Sequence, residues 1–103
     1  MSKIRLMQIE RRIKKIKSEI VKTGEIRPGS LTLQFKDRKR QTGAYYQLSY
    51  THEMKSRTNY IRKNCVRSVR QQIKNYKRFK KLTTEWVALG IEHSKLSMEL
   101  NKD

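Results

Sequence analysis

Residues 31–61 read LTLQFKDRKRQTGAYYQLSYTHEMKSRTNYI, and the alternation within them decides the fold class. Leu31, Leu33 and Phe35 alternate with Thr32, Gln34 and Lys36, which places the apolar side chains on one face of a strand. Residues 37–43 carry Arg38, Lys39 and Arg40 without an apolar residue, and close on Gly43, as a polar connection with a tight turn requires. A second strand over 44–51 sets Tyr46, Leu48 and Tyr50 against Tyr45, Gln47 and Ser49. Residues 52–55 read as the next turn. The run 56–61 has strand composition again, with Thr58 and Tyr60 on one side and Arg57, Asn59 and Ile61 on the other. Together these form a three-stranded antiparallel meander.

On both flanks the period becomes helical. Upstream, Leu6, Ile9, Ile13, Ile16 and Ile20 fall in alternating steps of three and four, predicting a helix over 1–22 with a coiled-coil seam. Ser2 is placed to cap its start, and Gly24, through a left-handed exit, and then Pro28 to end it. Downstream, Val66, Val69, Ile73, Tyr76, Phe79, Leu82, Trp86, Leu89, His93, Leu96 and Leu100 keep helical spacing with no proline, predicting one helix over 64–100. At about 1.5 Å per residue it extends roughly 55 Å, more than three strands can cover, so part of it must pack elsewhere. Gly90 is its weak point. The expected fold is α+β and a single domain over 1–103: an N-terminal helix, the β-meander, and a long C-terminal helix that pairs back on the first.

Charge suggests how the helices meet. Residues 62–81 hold basic residues and no acid, whereas 85–103 contain Glu85, Glu92, Glu99 and Asp103 against Lys95 and Lys102. With Leu6, Ile13, Trp86 and His93 as heptad a positions, an antiparallel hairpin pairs Arg5 with Glu99 and Arg12 with Glu92, and sets Glu19 against Glu85. The rival use of the same seam is an intermolecular coiled coil, a homodimer.

Composition bounds the function. The chain has 26 Lys+Arg against 9 Asp+Glu in 103 residues, a formal charge of +17. Ordinary solubility asks for only about 2 to 8 charges on a small domain, so this excess points to a polyanionic partner, nucleic acid first. A hydrophobic content of 35% supports a thin core rather than a deep pocket. Cys65 is the single cysteine, which excludes an internal disulfide and a cysteine-rich zinc site and suits a reducing compartment. Charges interrupt the N-terminal segment every few residues, so it reads neither as a secretory signal nor as a membrane span, and Glu10 and Glu19 argue against a transit peptide. A cytoplasmic protein without a membrane role is expected.

The most specific motif is a stripe of cations beside the apolar seam of the long helix: Lys63, Arg67, Arg70, Lys74, Lys77 and Lys81, widened by Arg78 and Lys80. It spans about 27 Å, about 100° around the axis from the seam, and so can follow a phosphate backbone while the seam stays buried. The plainer reading is a solvated helix face, but such faces interleave Glu or Asp with Lys, and here none does. The loop residues Lys36, Arg38, Lys39 and Arg40 are a second basic contact. Tyr45, Tyr46, Tyr50 and Tyr60 offer base-stacking surfaces where they face solvent, and core otherwise. Trp86 and Phe79 read as core.

Catalysis has no assembled parts in the sequence. His52 neighbours only Glu53, His93 lies on the seam, Cys65 has no evident base, and the carboxylates are scattered. No catalytic residue, metal site or cofactor is expected.

Three ordered motifs carry a resemblance. Pro28-Gly29-Ser30-Leu31-Thr32 with Gln34-Phe35, then 43–51 (GAYYQLSYT), then 75–82 (NYKRFKKL) with Glu85-Trp86, make residues 28–96 similar to a family of small bacterial and archaeal proteins, mostly without assigned activity, often encoded near transposases and other mobile elements. Its members typically carry a cysteine cluster between the first two strands that looks like a zinc knuckle. Residues 37–42 stand there in this chain, without cysteine and basic instead. The resemblance implies a DNA-related accessory role in a mobile element, without the metal. The expected function is non-enzymatic, phosphate-directed binding of duplex DNA or structured RNA. The alternative is an adaptor or inhibitor that docks on an acidic surface of a transposase, nuclease or defence complex.

Overall fold

A computed structural model describes residues 2–101, so residue 1 of the expected first helix, and Lys102 and Asp103 at the acidic end, lie outside it. The element order is α1 (Ser2–Val21), β1 (Ser30–Asp37), β2 (Thr42–His52), β3 (Lys55–Ile61), a 3-10 turn (Lys63–Cys65) and α2 (Val66–Leu100). This is the α-β-β-β-α order the periodicities predict. The chain packs as two compact units, one formed by Gly24–Lys77 and the other by the residues up to Thr23 together with those from Arg78 onward.

In the first unit the strands form an antiparallel sheet of order β1-β2-β3. The register pairs Leu31 with Leu48, Leu33 with Tyr46 and Gln34 with Tyr45, then Tyr46 with Ile61 and Leu48 with Asn59. One face therefore presents Leu31, Tyr46, Leu48, Tyr50 and Ile61. Leu48 is fully buried against Val69 and Ile73 of α2, with Leu31, Tyr50 and Ile61 packed around them. The β1–β2 connection is tighter than the sequence suggests, because β2 already starts at Thr42 and only residues 38–41 lie outside strands. Asp37 closes it by accepting the backbone N–H groups of Lys39 and Arg40 at 3.1 and 3.2 Å. The β2–β3 turn consists of Glu53 and Met54, both with positive φ (52° and 64°), a mirror-image turn that matches the strand twist.

The segment entering β1 is tied to α2. The Arg27 backbone N–H donates to the Gln72 carbonyl (3.1 Å), and the Asn75 side-chain amide donates to the Glu25 carbonyl (2.9 Å).

In the second unit α1 pairs with the C-terminal part of α2 through a seam in which Ile9, Ile16 and Leu82 are buried. The seam is thus closed within the chain. The pairing is antiparallel, but the expected register is off by one heptad. Arg5 meets Glu92 rather than Glu99, with two hydrogen bonds of 2.6 and 2.8 Å, and Arg12 meets Glu85 rather than Glu92, at 2.6 and 2.7 Å. The slip removes the opposition of Glu19 and Glu85: Glu19 instead faces Arg78, at 4.0 Å. His93 Nε2 lies 3.0 Å from Glu10 Oε1. Trp86 and Phe79 are half-buried rather than core, and the Lys17 ammonium sits 5.3 Å from the centre of the Trp86 ring. The end of α1 also differs from expectation. Gly24 takes no left-handed exit. The helix closes instead through a tightened Thr23-to-Ile20 backbone bond (3.0 Å) and the Thr23 hydroxyl donating to the Glu19 carbonyl (3.1 Å).

The paired guanidinium hydrogen bonds hold the Glu85 and Glu92 carboxyls below their ordinary pKa. A carboxyl depressed in the folded state stabilises it above its unfolded pKa, and that contribution is lost as pH falls through the folded value. Acidification through the carboxylate range should therefore lower the thermal midpoint of the wild type more than that of Glu85→Gln/Glu92→Gln. The pairs are exposed, so the difference should shrink in high salt. Melting curves against pH at two salt concentrations check this.

Candidate nucleic-acid interface

The cationic stripe lies where the helix period places it. Val66, Val69 and Ile73 turn one side of α2 inward, and Arg67, Arg70, Lys74 and Lys77 are exposed on the adjoining side, within the Gly24–Lys77 unit. Four cations are presented along about 15 Å of helix. Lys63 is exposed but sits in the 3-10 turn ahead of α2, so the helical part of the stripe begins at Arg67 rather than Lys63. Arg78 and Lys81 belong to the other unit, where Arg78 is partly engaged by Glu19.

Within the first unit the stripe borders an open groove of about 430 Å³ lined by Gly29, Ser30, Leu31, Arg70, Ile73, Lys74 and Lys77. Its far wall is the start of β1. Gly29 makes that wall: at φ +133°, a Cβ there would lie 2.8 Å from both Leu48 Cδ1 and the Ser49 carbonyl oxygen. Only glycine lets the backbone run this close to β2. The cations are also aimed. The Arg70 guanidinium stands 5.8 Å from the centre of the Tyr46 ring, and Arg27 stacks at 4.8 Å on Tyr50 while donating to Asn59 Oδ1 at 2.6 Å. Sequence reasoning overlooked Arg27 and the groove wall. The Pro28-Gly29 turn was their one visible signal.

The four tyrosines divide. Tyr46 and Tyr50 lie on the face that packs on α2, each under an arginine, whereas Tyr45 and Tyr60 lie on the opposite face. The basic loop residues Arg38, Lys39 and Arg40 are exposed at the β1–β2 tip, and Arg40 Nε is 3.9 Å from Asp37 Oδ2. Cys65 is exposed beside Asn64, its thiol 3.6 Å from Asn64 Oδ1. His52 lies 3.5 Å from Glu53. Among the described residues no group of His, Cys, Asp and Glu is disposed to hold a metal ion, and no helix is long and apolar enough to cross a membrane.

The fold and its most distinctive surface thus define a small helix-sheet-helix chain with a cationic, groove-bearing helix. Comparison with protein-family models, curated proteins and solved structures returns no match.

Proposed function

We propose that the chain is a non-enzymatic, phosphate-directed nucleic-acid-binding protein, with low sequence selectivity, that serves as an accessory of a mobile genetic element. The observation that supports this most is the acid-free row Arg67, Arg70, Lys74 and Lys77 bordering the open groove beside Gly29–Leu31. Among the described residues its charges are not neutralised by ion pairs, as those of Arg5 and Arg12 are. Releasing the counterions condensed on a phosphate backbone drives binding to such a surface, and contacts to phosphates carry no base information. The mobile-element setting rests on the resemblance of residues 28–96.

The test is titration of the nuclease-treated protein against duplex DNA, single-stranded DNA and structured RNA over a range of salt. Neutralisation of about six phosphates gives a slope of log K against log salt near −5 on B-DNA, at about 0.9 per phosphate. A flat dependence, or recovery of one protein partner that survives nuclease treatment with no nucleic-acid binding, sinks the proposal in favour of an adaptor.

A further inference from the structure

The face of the sheet turned away from α2 has the makings of a second site. Its side chains include Thr32, Gln34 and Lys36 from β1, Tyr45, Gln47 and Ser49 from β2, and Thr58 and Tyr60 from β3. None of these is acidic and none is aliphatic. Tyr60 stands on this face 68% exposed. Its neighbour Tyr45 lies across the β2–β3 ladder, with ring centroids 6.3 Å apart and planes inclined by 33°. Lys36, Gly43, Ala44 and these two rings line an open depression of about 490 Å³.

The surroundings of the rings are selective. Gly43, at φ +69°, leaves room for the Lys36 stem to lie over the backbone; a Cβ there would meet three Lys36 carbons at 3.0 to 3.3 Å. Lys36 thus flanks the aromatic pair on one side. Arg62 follows β3 directly and is exposed, with an extended backbone (φ −63°, ψ 144°). Gln34 is paired with Tyr45, and Gln47 with Tyr60, so an amide stands beside each ring. Two π faces, a flanking cation and adjacent amides are the parts from which single-strand sites are built. The rings stack on bases, the cation meets the backbone, and the amides reach base edges. Paired bases inside a duplex cannot present their faces to such a platform.

We infer that the open sheet face binds an unpaired stretch of nucleic acid by stacking its bases on Tyr45 and Tyr60, with Lys36 holding a flanking phosphate. This rests on the nucleic-acid reading above and gives it a substrate class: strands with unpaired bases, in addition to the sequence-blind phosphate contact of α2. The net charge of +17 favours this occupant over a neutral sugar on the same rings.

The experiment uses the full chain, nuclease-treated, with single strands of DNA and RNA carrying one 2-aminopurine and with the matching duplex. Wild-type protein should change the 2-aminopurine emission on binding the single strand, because a stacked base is quenched. Tyr60→Ala and Tyr45→Ala should each weaken single-strand binding by about 5- to 150-fold and remove the quenching, the range spanned by one base–aromatic stack. Tyr60→Phe should keep both, and duplex affinity and the salt slope should be unchanged in all three variants. An effect on DNA alone, RNA alone or both supports the site and says whether the 2′-hydroxyl matters. Because Tyr60 is exposed, Tyr60→Ala should melt as the wild type does, so loss of binding is not loss of fold. Single-strand binding untouched in Tyr45→Ala/Tyr60→Ala, or lost equally in Tyr60→Phe, overturns the stacking site while leaving the phosphate reading of α2 intact. No binding of any nucleic acid by the wild type overturns both.

Discussion

Arg70→Glu/Lys74→Glu/Lys77→Glu is expected to remove measurable duplex binding while leaving the fold in place. These residues line the groove beside Gly29–Leu31 and are exposed, and their replacement leaves the inward Val69 and Ile73 untouched. Inside the fold the substitutions take the Arg70 guanidinium off the Tyr46 ring, an interaction worth about 0.5–1 kcal/mol at an exposed position. The effect on binding is far larger. With about six phosphate contacts, raising salt from about 50 to 200 mM weakens binding roughly 10³-fold, and with three contacts only about 40-fold. The neutral variant Arg70→Ala/Lys74→Ala/Lys77→Ala should therefore halve the salt slope, from near −5 to about −2.7. The charge-reversed variant adds repulsion to that deficit. Replacing Arg38, Lys39 and Arg40 by alanine serves as a comparison, since the loop is a second basic surface outside the groove. If the loop variant loses more than the α2 variant, the primary contact is the hairpin tip and the groove is secondary.

How much of this was legible in the sequence differs by element. β1 and β2 were legible because each has one apolar face, and a slip by one residue would have turned Leu48 outward, so the alternation fixes which tyrosines share a face with it, whereas β3, whose Ile61 side also carries Arg57 and Asn59, was legible from strand composition. The cationic stripe was legible for the same reason, since period 3.6 places residues on a cylinder without knowledge of the neighbours. The helix register was not. Seam residues repeat every heptad, so a slip of seven leaves the apolar match unchanged and only the flanking charges discriminate. Counting Arg5, Arg12 and Glu19 against Glu85, Glu92 and Glu99 left a Glu19–Glu85 clash that was itself a sign of the wrong register. Moving one heptad brings Arg78 opposite Glu19 and removes it. The groove wall was not legible either, because it arises from backbone proximity at Gly29 rather than from any side-chain pattern.

The second large effect is on stability and follows from how few residues carry the sheet unit. Its buried cluster is Leu48, Val69 and Ile73, and of these Leu48 alone is completely shielded from solvent. Leu48→Ala should cost about 2–5 kcal/mol, a large share of the roughly 5–15 kcal/mol that holds an ordinary domain together. Gly29→Ala strikes the same spot from the other side, forcing a Cβ to within 2.8 Å of Leu48 Cδ1 and of the Ser49 carbonyl oxygen at a φ of +133°. The two changes should not add. Shortening Leu48 relieves the side-chain clash of Gly29→Ala but leaves the clash with the Ser49 carbonyl and the strained φ, so the double variant should be less destabilised than the sum yet worse than Leu48→Ala alone. Denaturant titration of the four proteins in this cycle gives the coupling directly. Amide exchange should locate the damage in β1 to β3 and the start of α2, while the seam of Ile9, Ile16 and Leu82 keeps its protection. Binding should fall with it, although neither residue carries a charge, because Gly29–Leu31 forms the wall opposite Arg70, Lys74 and Lys77 and a cation row without that wall loses the cleft that concentrates its field. A Leu48→Ala protein that binds duplex DNA with wild-type affinity and salt slope would show that α2 acts as a bare cationic helix and that the groove is incidental.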